Sequence, residues 1–393
     1  MQKKLIVAAL VAAIALPLTA VADNANVTVY GIANLSLDMT KNGNTATTQG
    51  ASTNKVSSSA SRIGFKGTED LGEGLSALWQ IESRVDMDNA GGTFATRNTF
   101  AGLKGESWGQ LILGRHDTPY KVATRRLDMF GDSMGDNRAL MGGAIKSKNS
   151  ALQFDGRPND VIMYTSPSMG GVTVLASYVN GAEGATATTD IKGKTLSVAG
   201  LYEDDALFAS MAYQVNDIGT ANTGNNACVT TTAVPCIAGT VGVKEKAVKV
   251  GAGYKLGDFE TGLAFEKTSD DVNTAGSVIA CFSGSTDSNC YGHKAMTVSG
   301  KYKLSNGAFK LALVKAGELG NRVSSGAKQM TVGYDHNLSK RTTLYAIYTR
   351  LSNDANASYA LAAEDAGTST GFVKAKGADA DPSALSLGMK HTF

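Results

Sequence analysis

The sequence lacks an excess of charge of one sign. Over 393 residues, 37 Lys and Arg stand against 35 Asp and Glu, and only four histidines are scattered along the chain. A nucleic-acid-binding protein should carry a basic excess, so the balanced charge argues against a nucleic-acid partner. P-loop, H-E-x-x-H and EF-hand patterns are also missing, and we expect neither a cofactor nor a metal site.

Long apolar runs are missing after residue 22, although a membrane-spanning helix needs about 20 apolar residues. The one apolar run, Leu5–Leu18, follows two lysines and is too short to span a bilayer with margin. Ala20-Val21-Ala22 then has the small-x-small pattern of a cleavage site. We therefore expect residues 1–22 to be a secretory signal peptide. The mature chain would begin at Asp23 and carry no formal net charge.

Cysteine is scarce, and its four copies form two close pairs, Cys228 with Cys236 and Cys281 with Cys290. Each pair lies in a polar segment. Because an exported protein meets an oxidising compartment, the pattern favours two local disulfides. Three connectivities remain possible from the sequence alone. A metal site is the minor alternative, since no histidine lies at ligand spacing beside either pair.

Alternation of apolar and charged residues dominates the rest of the chain. In the segment from 61 to 67, Ile63 and Phe65 share one face of a predicted strand, and Arg62 and Lys66 share the other. One face is thus apolar and the other charged. A soluble β-sandwich also alternates, so this period alone does not separate it from a membrane barrel.

Short turns alternate with long polar segments along the chain, such as 41–60 and 116–156. Short turns at one end and long loops at the other are typical of outer-membrane barrels. We predict an all-β fold, a transmembrane 16-stranded antiparallel β-barrel over residues 23–393. The predicted strands are 27–40, 61–69, 75–85, 97–104, 109–115, 158–165, 172–179, 194–202, 206–215, 247–255, 259–268, 292–303, 308–316, 327–336, 341–351 and 383–393.

Five tyrosines recur one to three residues before short turns. A tyrosine ring has an apolar body and a polar tip, so it favours the lipid–water boundary. The repeated position indicates an aromatic girdle at the periplasmic end of the barrel. Ordinary β-propensity explains tyrosine in strands but not this regular placement. The five are Tyr164, Tyr202, Tyr254, Tyr302 and Tyr334.

The segment Gly105-Glu106-Ser107-Trp108-Gly109 formally matches the G-x-S-x-G nucleophile elbow. That elbow joins a strand to a helix, whereas here two strand-like runs flank it. We interpret it as a hairpin turn and expect no enzyme activity. Outer-membrane proteases and phospholipases are barrels too, so an enzyme remains the rival class.

Several segments of the mature chain resemble the general porins of the Neisseria and Burkholderia type. They are Val27-Thr28-Val29-Tyr30-Gly31, the block from Ser61 to Gly72, Leu113-Gly114-Arg115, Tyr164-Thr165-Ser166-Pro167, Gly333-Tyr334, the turn from Asn337 to Thr342, and the terminal Phe393.

The resemblance implies a homotrimer in the outer membrane of a Gram-negative bacterium, among outer-membrane lipid and lipopolysaccharide. It further implies a water-filled channel for passive diffusion of ions and small hydrophilic solutes. Each barrel would have an inward-folded third loop, roughly residues 116–156.

The same resemblance implies a pore constriction in which wall arginines face loop carboxylates. Arg62, Arg97 and Arg157 match best by position, with Arg84 and Arg115 as further candidates, and Asp128 and Asp132 are the loop acids. A charge facing lipid costs about 2–4 kcal/mol, so strand arginines should face the lumen. Alternatively some arginines are solvated or paired with wall carboxylates such as Glu82, a reading we favour for Arg84 and Arg115. Because wall arginines outnumber clear wall carboxylates, we expect weak anion selectivity; a specific anion channel would differ only in selectivity.

Overall fold

The computed structural model describes residues 27–89, 94–142, 154–180, 194–217, 244–270, 292–320, 322–361, 373 and 375–393. All four cysteines, and with them both predicted disulfides, lie outside these ranges. Within them, no helix is long and apolar enough to cross a bilayer. The described strands are β1 (Val27–Lys41), β2 (Ser52–Ser58), β3 (Arg62–Gly72), β4 (Leu75–Arg84), β5 (Thr99–Gly105), β6 (Gly109–Arg115), β7 (Val161–Thr165), β8 (Val172–Asn180), β9 (Lys194–Glu203), β10 (Leu207–Asp217), β11 (Lys244–Leu256), β12 (Phe259–Asp270), β13 (Lys294–Leu304), β14 (Gly307–Ala316), β15 (Ala327–Asn337), β16 (Thr342–Asn353) and β17 (Ser383–Thr392).

Neighbouring strands pair antiparallel in chain order, and the last strand pairs with the first, so the sheet closes into a barrel. Both β2 and β3 pair with β1. Between Ser58 and Arg62 the chain has three residues where β1 has two, which is a β-bulge. Ala60 in the bulge has φ +52°. The segments β2 and β3 are therefore two halves of one wall strand, and the barrel has 16 wall strands, which confirms the predicted fold.

The prediction of a long loop over residues 41–60 is wrong for residues 52–58. These residues form β2, in register with β1 from Leu35↔Ser58 to Lys41↔Ser52. Most of its side chains are polar on both faces, so alternation gives no signal there. The strand forms because β1 offers it a hydrogen-bonding edge.

The wall strands present apolar side chains outward. In β12, Leu263 and Phe265 are 47% and 42% exposed, whereas Gly262, Ala264 and Glu266, which alternate with them, are buried. The inward set is therefore small or polar and the outward set is apolar, as expected of a barrel surrounded by lipid.

Aromatic residues ring the end of the barrel where the turns are short. Tyr254, Tyr302, Phe259 and Phe309 are about half-exposed there. The segment from Gly105 to Gly109 is the tight turn between β5 and β6, and a strand follows it rather than a helix. Its interpretation as a hairpin turn is confirmed.

Candidate functional site: the lumen and its third loop

The third loop connects β6 with β7, and its described residues, 116–142 and 154–160, lie within the lumen. It begins with a short helix, α1 (Pro119–Arg125), where Thr118 accepts the Lys121 N–H at 3.3 Å as the N-cap. Proline suits the first helical position because it needs no backbone donor there. The backbone N–H of Tyr120 donates to Ser197 Oγ of β9 at 3.0 Å. Ser197 belongs to the inward-facing set, so the helix lies against the inner wall.

A cluster of ion pairs fixes the middle of the loop. Arg125 contacts Asp132 and Asp136 at 2.8 Å each, and Arg138 contacts Asp136 at 2.8 Å. Burial works to raise the pKa of Asp136, but the two guanidinium groups outweigh it and hold that pKa well below its ordinary value. Asp136 therefore stays ionised and braces the turn that follows it, a 3₁₀ turn over Asn137–Ala139.

The two predicted loop acids have different surroundings. Both oxygens of Asp128 accept backbone N–H groups, from Phe130 at 2.9 Å and Asn137 at 3.0 Å, and its side chain is 1% exposed. Asp128 therefore shapes the loop from within. The side chain of Asp132 is 30% exposed, so Asp132 is the predicted acid that the loop presents to the lumen.

Glu266 of β12 binds the loop at two places, Tyr120 in the helix and Gly142 further along the chain. It accepts the Tyr120 hydroxyl at 2.7 Å and the Gly142 N–H at 2.9 Å. Lys249 of β11 lies 3.3 Å from Glu266 and 2.6 Å from Asp155. Burial, helped by the Glu266 charge, raises the pKa of Tyr120 well above its ordinary value, so this hydroxyl remains a donor. The cluster holds the loop to the wall from both sides.

Small residues in the wall let the loop approach closely. A Cβ on Gly251 would lie 2.5 Å from Leu127 Cδ1, and one on Gly262 would lie 2.5 Å from the Leu127 carbonyl oxygen. The Ser299 hydroxyl donates to the same carbonyl at 2.6 Å. A Cβ at Gly262 would meet loop backbone, so a larger residue there would displace the loop from the wall.

Arg62 is the predicted wall arginine that meets a predicted loop acid. Its Nη1 lies 3.3 Å from Asp132 Oδ2, and its Nε lies 4.0 Å from Glu82 of β4. Arg62 is the first residue of β3, directly after the bulge, and lines the cavity beneath the loop. The pair joins the loop to the wall opposite the Glu266 anchor.

The other predicted arginines lie elsewhere. Arg97 precedes β5 and pairs with Glu82 at 2.5 Å. We expected such a pairing with a wall carboxylate for Arg84 and Arg115 instead. The assignment of Arg157 to the wall is wrong: β7 begins at Val161, so Arg157 lies in the returning limb of the loop.

Local partners hold these remaining side chains. Arg157 lies 3.0 Å from Asp117 in the same loop. Arg84 pairs with Asp86 at 2.5 Å. Arg115 donates to Asn159 at 2.6 Å. The structure thus brings Arg62 and Asp132 together, and Arg97 shares Glu82 with Arg62. Arg84, Arg115 and Arg157 have local partners instead.

A cavity of about 500 Å³ opens between the loop and the short-turn end of the barrel. Its lining includes seven basic and four acidic side chains, so its formal charge is positive. The basic residues are Arg62, Arg126, Lys301, Lys310, Lys340, Arg341 and Lys390, and the acidic ones are Asp128, Asp132, Glu260 and Asp335.

Sequence reasoning missed the lysines of this cavity. Lys301, Lys310 and Lys390 each sit between outward-facing strand neighbours, so alternation contained the signal that could have found them. Lys310 lies 2.9 Å from Asp335 and its ammonium is 4.9 Å from the centre of the Phe130 ring of the loop. Among the residues that the structure describes, no group of His, Cys, Asp and Glu side chains is arranged to hold a metal ion.

A second loop also packs inward, between β16 and β17. Tyr359 and Leu361 are buried against Leu140 and Met141 of the third loop. Asn353 fixes this segment, because its side chain donates to the Tyr359 carbonyl at 3.1 Å and accepts the Tyr359 N–H at 2.8 Å. The long-loop mouth of the lumen is thus narrowed by two loops.

A closed barrel with apolar outer face, polar lumen and inward loop defines the class of transmembrane channel barrels. A sequence model of the family described as "Gram-negative porin" matches residues 8–356. Outer membrane porin protein 32 of Delftia acidovorans is 27% identical over 341 residues, 85% of each chain. An outer membrane porin protein of Bordetella pertussis is 25% identical over 358 residues, covering 85% of this chain and 82% of that one.

Solved structures share the fold. The anion-selective porin from Comamonas acidovorans superposes with a TM-score of 0.74 at 22% identity, covering 94% of this chain and all of that one. The trimer form of OmpT from Vibrio cholerae superposes with a TM-score of 0.63 at 15% identity, covering 94% of this chain and all of that one.

The chain belongs to the Gram-negative porin family. It is an outer-membrane porin, a channel through which ions and small hydrophilic solutes diffuse.

Proposed function

We propose that this porin conducts anions in preference to cations. The observation that carries the proposal is the cavity beneath the third loop, whose lining holds seven basic and four acidic side chains. Charged rings in a narrow lumen act on passing ions through a field that solvent screens incompletely. The resulting potential raises the local concentration of anions and lowers that of cations.

Several of these charges are already partnered, so the excess is smaller than the formal count. Lys301 contacts Glu260 at 2.5 Å, Lys310 contacts Asp335 at 2.9 Å, and Arg62 contacts Asp132 at 3.3 Å. Paired charges contribute little field at a distance. The selectivity that we propose is therefore modest. The shared fold with a porin whose title calls it anion-selective supports the same sign.

The test is reconstitution of the full protein in a planar bilayer under a KCl gradient. An anion-favouring reversal potential supports the proposal, and a cation-favouring one refutes it. Conductance should rise in proportion to salt concentration, because diffusion through a water-filled lumen does not saturate. Saturation would instead indicate a specific anion channel with a binding step.

We further propose that the chain assembles as a homotrimer, supported by the trimer form of OmpT, whose fold it shares. Sedimentation of the purified protein in detergent measures this directly. Residues 1–22 remain our proposed signal peptide. The two cysteine pairs, Cys228 with Cys236 and Cys281 with Cys290, remain our proposed loop disulfides. Channel function without catalysis is likewise our proposal.

A further inference from the structure

Apolar side chains face the lumen on seven consecutive strands, one from each of β4 to β10, and we call them the apolar arc. They alternate with outward-facing neighbours. Ile112, for example, lies between Leu111 and Leu113, which are 42% and 57% exposed on the outer face. The inside of a water-filled barrel is expected to be polar, so seven such positions in succession need an explanation. The members are Leu78, Phe100, Ile112, Met163, Leu175, Leu201 and Phe208.

Strand register shows that the members of the arc share one face of the sheet. Ile112 lies directly opposite Met163 of β7, and Leu78 belongs to the same row through Gly102 of β5. Residues that oppose each other on neighbouring strands project to the same face. All members of the arc except Phe208 pack into one apolar cluster. The arc is therefore one continuous surface of the inner wall.

The third loop covers part of the arc. Val122 of α1 packs on it, and the ring of His116 lies 5.3 Å from the ring of Phe100, centre to centre. Leu78, Phe100 and Leu201 nevertheless remain partly exposed. Because these side chains point inward, the surface that they expose borders the lumen. A solute that passes through the barrel can therefore touch the arc.

The arc lies at the level of the cavity lysines and on the opposite side of the barrel. Ile112 is three residues from the short-turn end of its strand, and so are Lys301 and Lys310. The strands of a barrel share one tilt, so equal distances from the short turns mean similar heights. Around the closed wall, β14 lies half-way round from β6, and β13 lies half-way round from β5. Phe100 and Ile112 therefore face Lys301 and Lys310 across the lumen.

We propose that the lumen favours monoanions whose carboxylate is attached to a compact apolar body, such as alicyclic and aromatic carboxylates. The carboxylate meets the lysines on one side of the lumen, and the apolar body passes along the arc on the other. Apolar surface of the solute that contacts the arc is removed from water, which is favourable. The inference deepens the anion preference proposed above and rests on it for the role of the lysines.

The test compares two monoanions with one ring skeleton, cyclohexanecarboxylate and its tetrahydroxy derivative quinate. The permeability of each is measured from the reversal potential of the reconstituted full-length porin, with the potassium salt of the anion opposite KCl. The test variant is Leu78→Thr/Phe100→Thr, and Leu78→Met/Phe100→Met keeps the arc apolar. The matched control is Val179→Thr, which changes an inward-facing residue of β8 that is 3% exposed and lies near the long-loop end. Stable conductance steps in KCl show that each variant is folded.

We expect the wild type to favour cyclohexanecarboxylate over quinate by more than their mobilities in free solution. The Thr variant should lower this permeability ratio about fourfold, the factor for one CH₂ group returned to water, whereas the Met variant and Val179→Thr should keep it. A wild-type ratio equal to that of the free mobilities would overturn the proposal, as would an unchanged ratio in the Thr variant or an equal fall in Val179→Thr.

The ratio separates this proposal from the anion preference on which it builds. Both probes carry one negative charge, so their permeability ratio reports on the arc whichever ion the porin favours in KCl. A reversal potential in KCl that favours potassium would refute the anion preference proposed above, and with it the role of the lysines.

Discussion

Replacing Glu266 with glutamine should release the third loop from the wall. Glu266 is fully buried and accepts from Tyr120, Gly142 and Lys249. The amide keeps the shape of the side chain, but it removes the negative charge and replaces one of the two acceptor oxygens with an NH₂ group. Breaking one partner of a buried ionic cluster costs about 3 kcal/mol or more. Since each 1.4 kcal/mol is a factor of ten, the released population should rise about a hundredfold.

The matched control for this variant is Glu260→Gln on the same strand. Glu260 pairs with the wall residues Lys301 and Lys303, and its side chain is 22% exposed. Partly exposed ion pairs of this kind contribute about 0–1 kcal/mol. The control should therefore leave the loop in place.

The assay is limited digestion by trypsin of the folded porin, followed at Arg125, Arg126 and Arg138 of the loop. When opening and closing are fast relative to cleavage, the cleavage rate follows the open population. Glu266→Gln should be cut about a hundred times faster than the control, with greater open-channel current noise. Equal cleavage rates for Glu266→Gln and Glu260→Gln would show that the buried cluster does not hold the loop.

Three further predictions concern charge, packing and pH. Arg62→Ser should shift the reversal potential towards cations more than Arg84→Ser, because Arg62 lines the cavity and Arg84 pairs locally; equal shifts would remove Arg62 from the selective region. Gly262→Ala should raise the tryptic cleavage rate of the loop, since its Cβ would lie 2.5 Å from the Leu127 carbonyl oxygen of the loop, whereas Gly200→Ala, with open space around it, should not; identical rates would contradict the close packing. Because the pKa of Asp136 is held below its ordinary value, its stabilising contribution is complete above about pH 5 and is lost as pH falls through the lowered pKa. Loop cleavage by an acid-active protease should rise only below about pH 4, and a rise already at about pH 6 would refute this role.

The barrel was predictable because its signals are local. Ile63 and Phe65 alternate with Arg62 and Lys66, and that period defines an outward and an inward face wherever the strand pairs. Strand β2 escaped prediction because most of its side chains are polar on both faces. Its position depends on the edge of β1, a contact between separate segments that no local period records.

The candidate site was predictable only in part, because its pairs depend on register and on the path of the loop. Alternation placed Arg62 on the lumen side. Its contact with Asp132, however, joins two residues that are 70 positions apart in the sequence, so no local pattern records it. Arg97 was expected to face the loop, yet the register of β4 brings Glu82 to it. Lys301 and Lys310 alternate with outward-facing neighbours in the same way, but the family resemblance points to arginines in the constriction and not to lysines.

The most direct test of the central claim is the reversal potential of the reconstituted porin under a KCl gradient. A positive cavity beneath the third loop predicts stable conductance steps and a reversal potential of the sign that favours chloride. A reversal potential that favours potassium would contradict the selectivity, and an absence of conductance steps would contradict the channel itself.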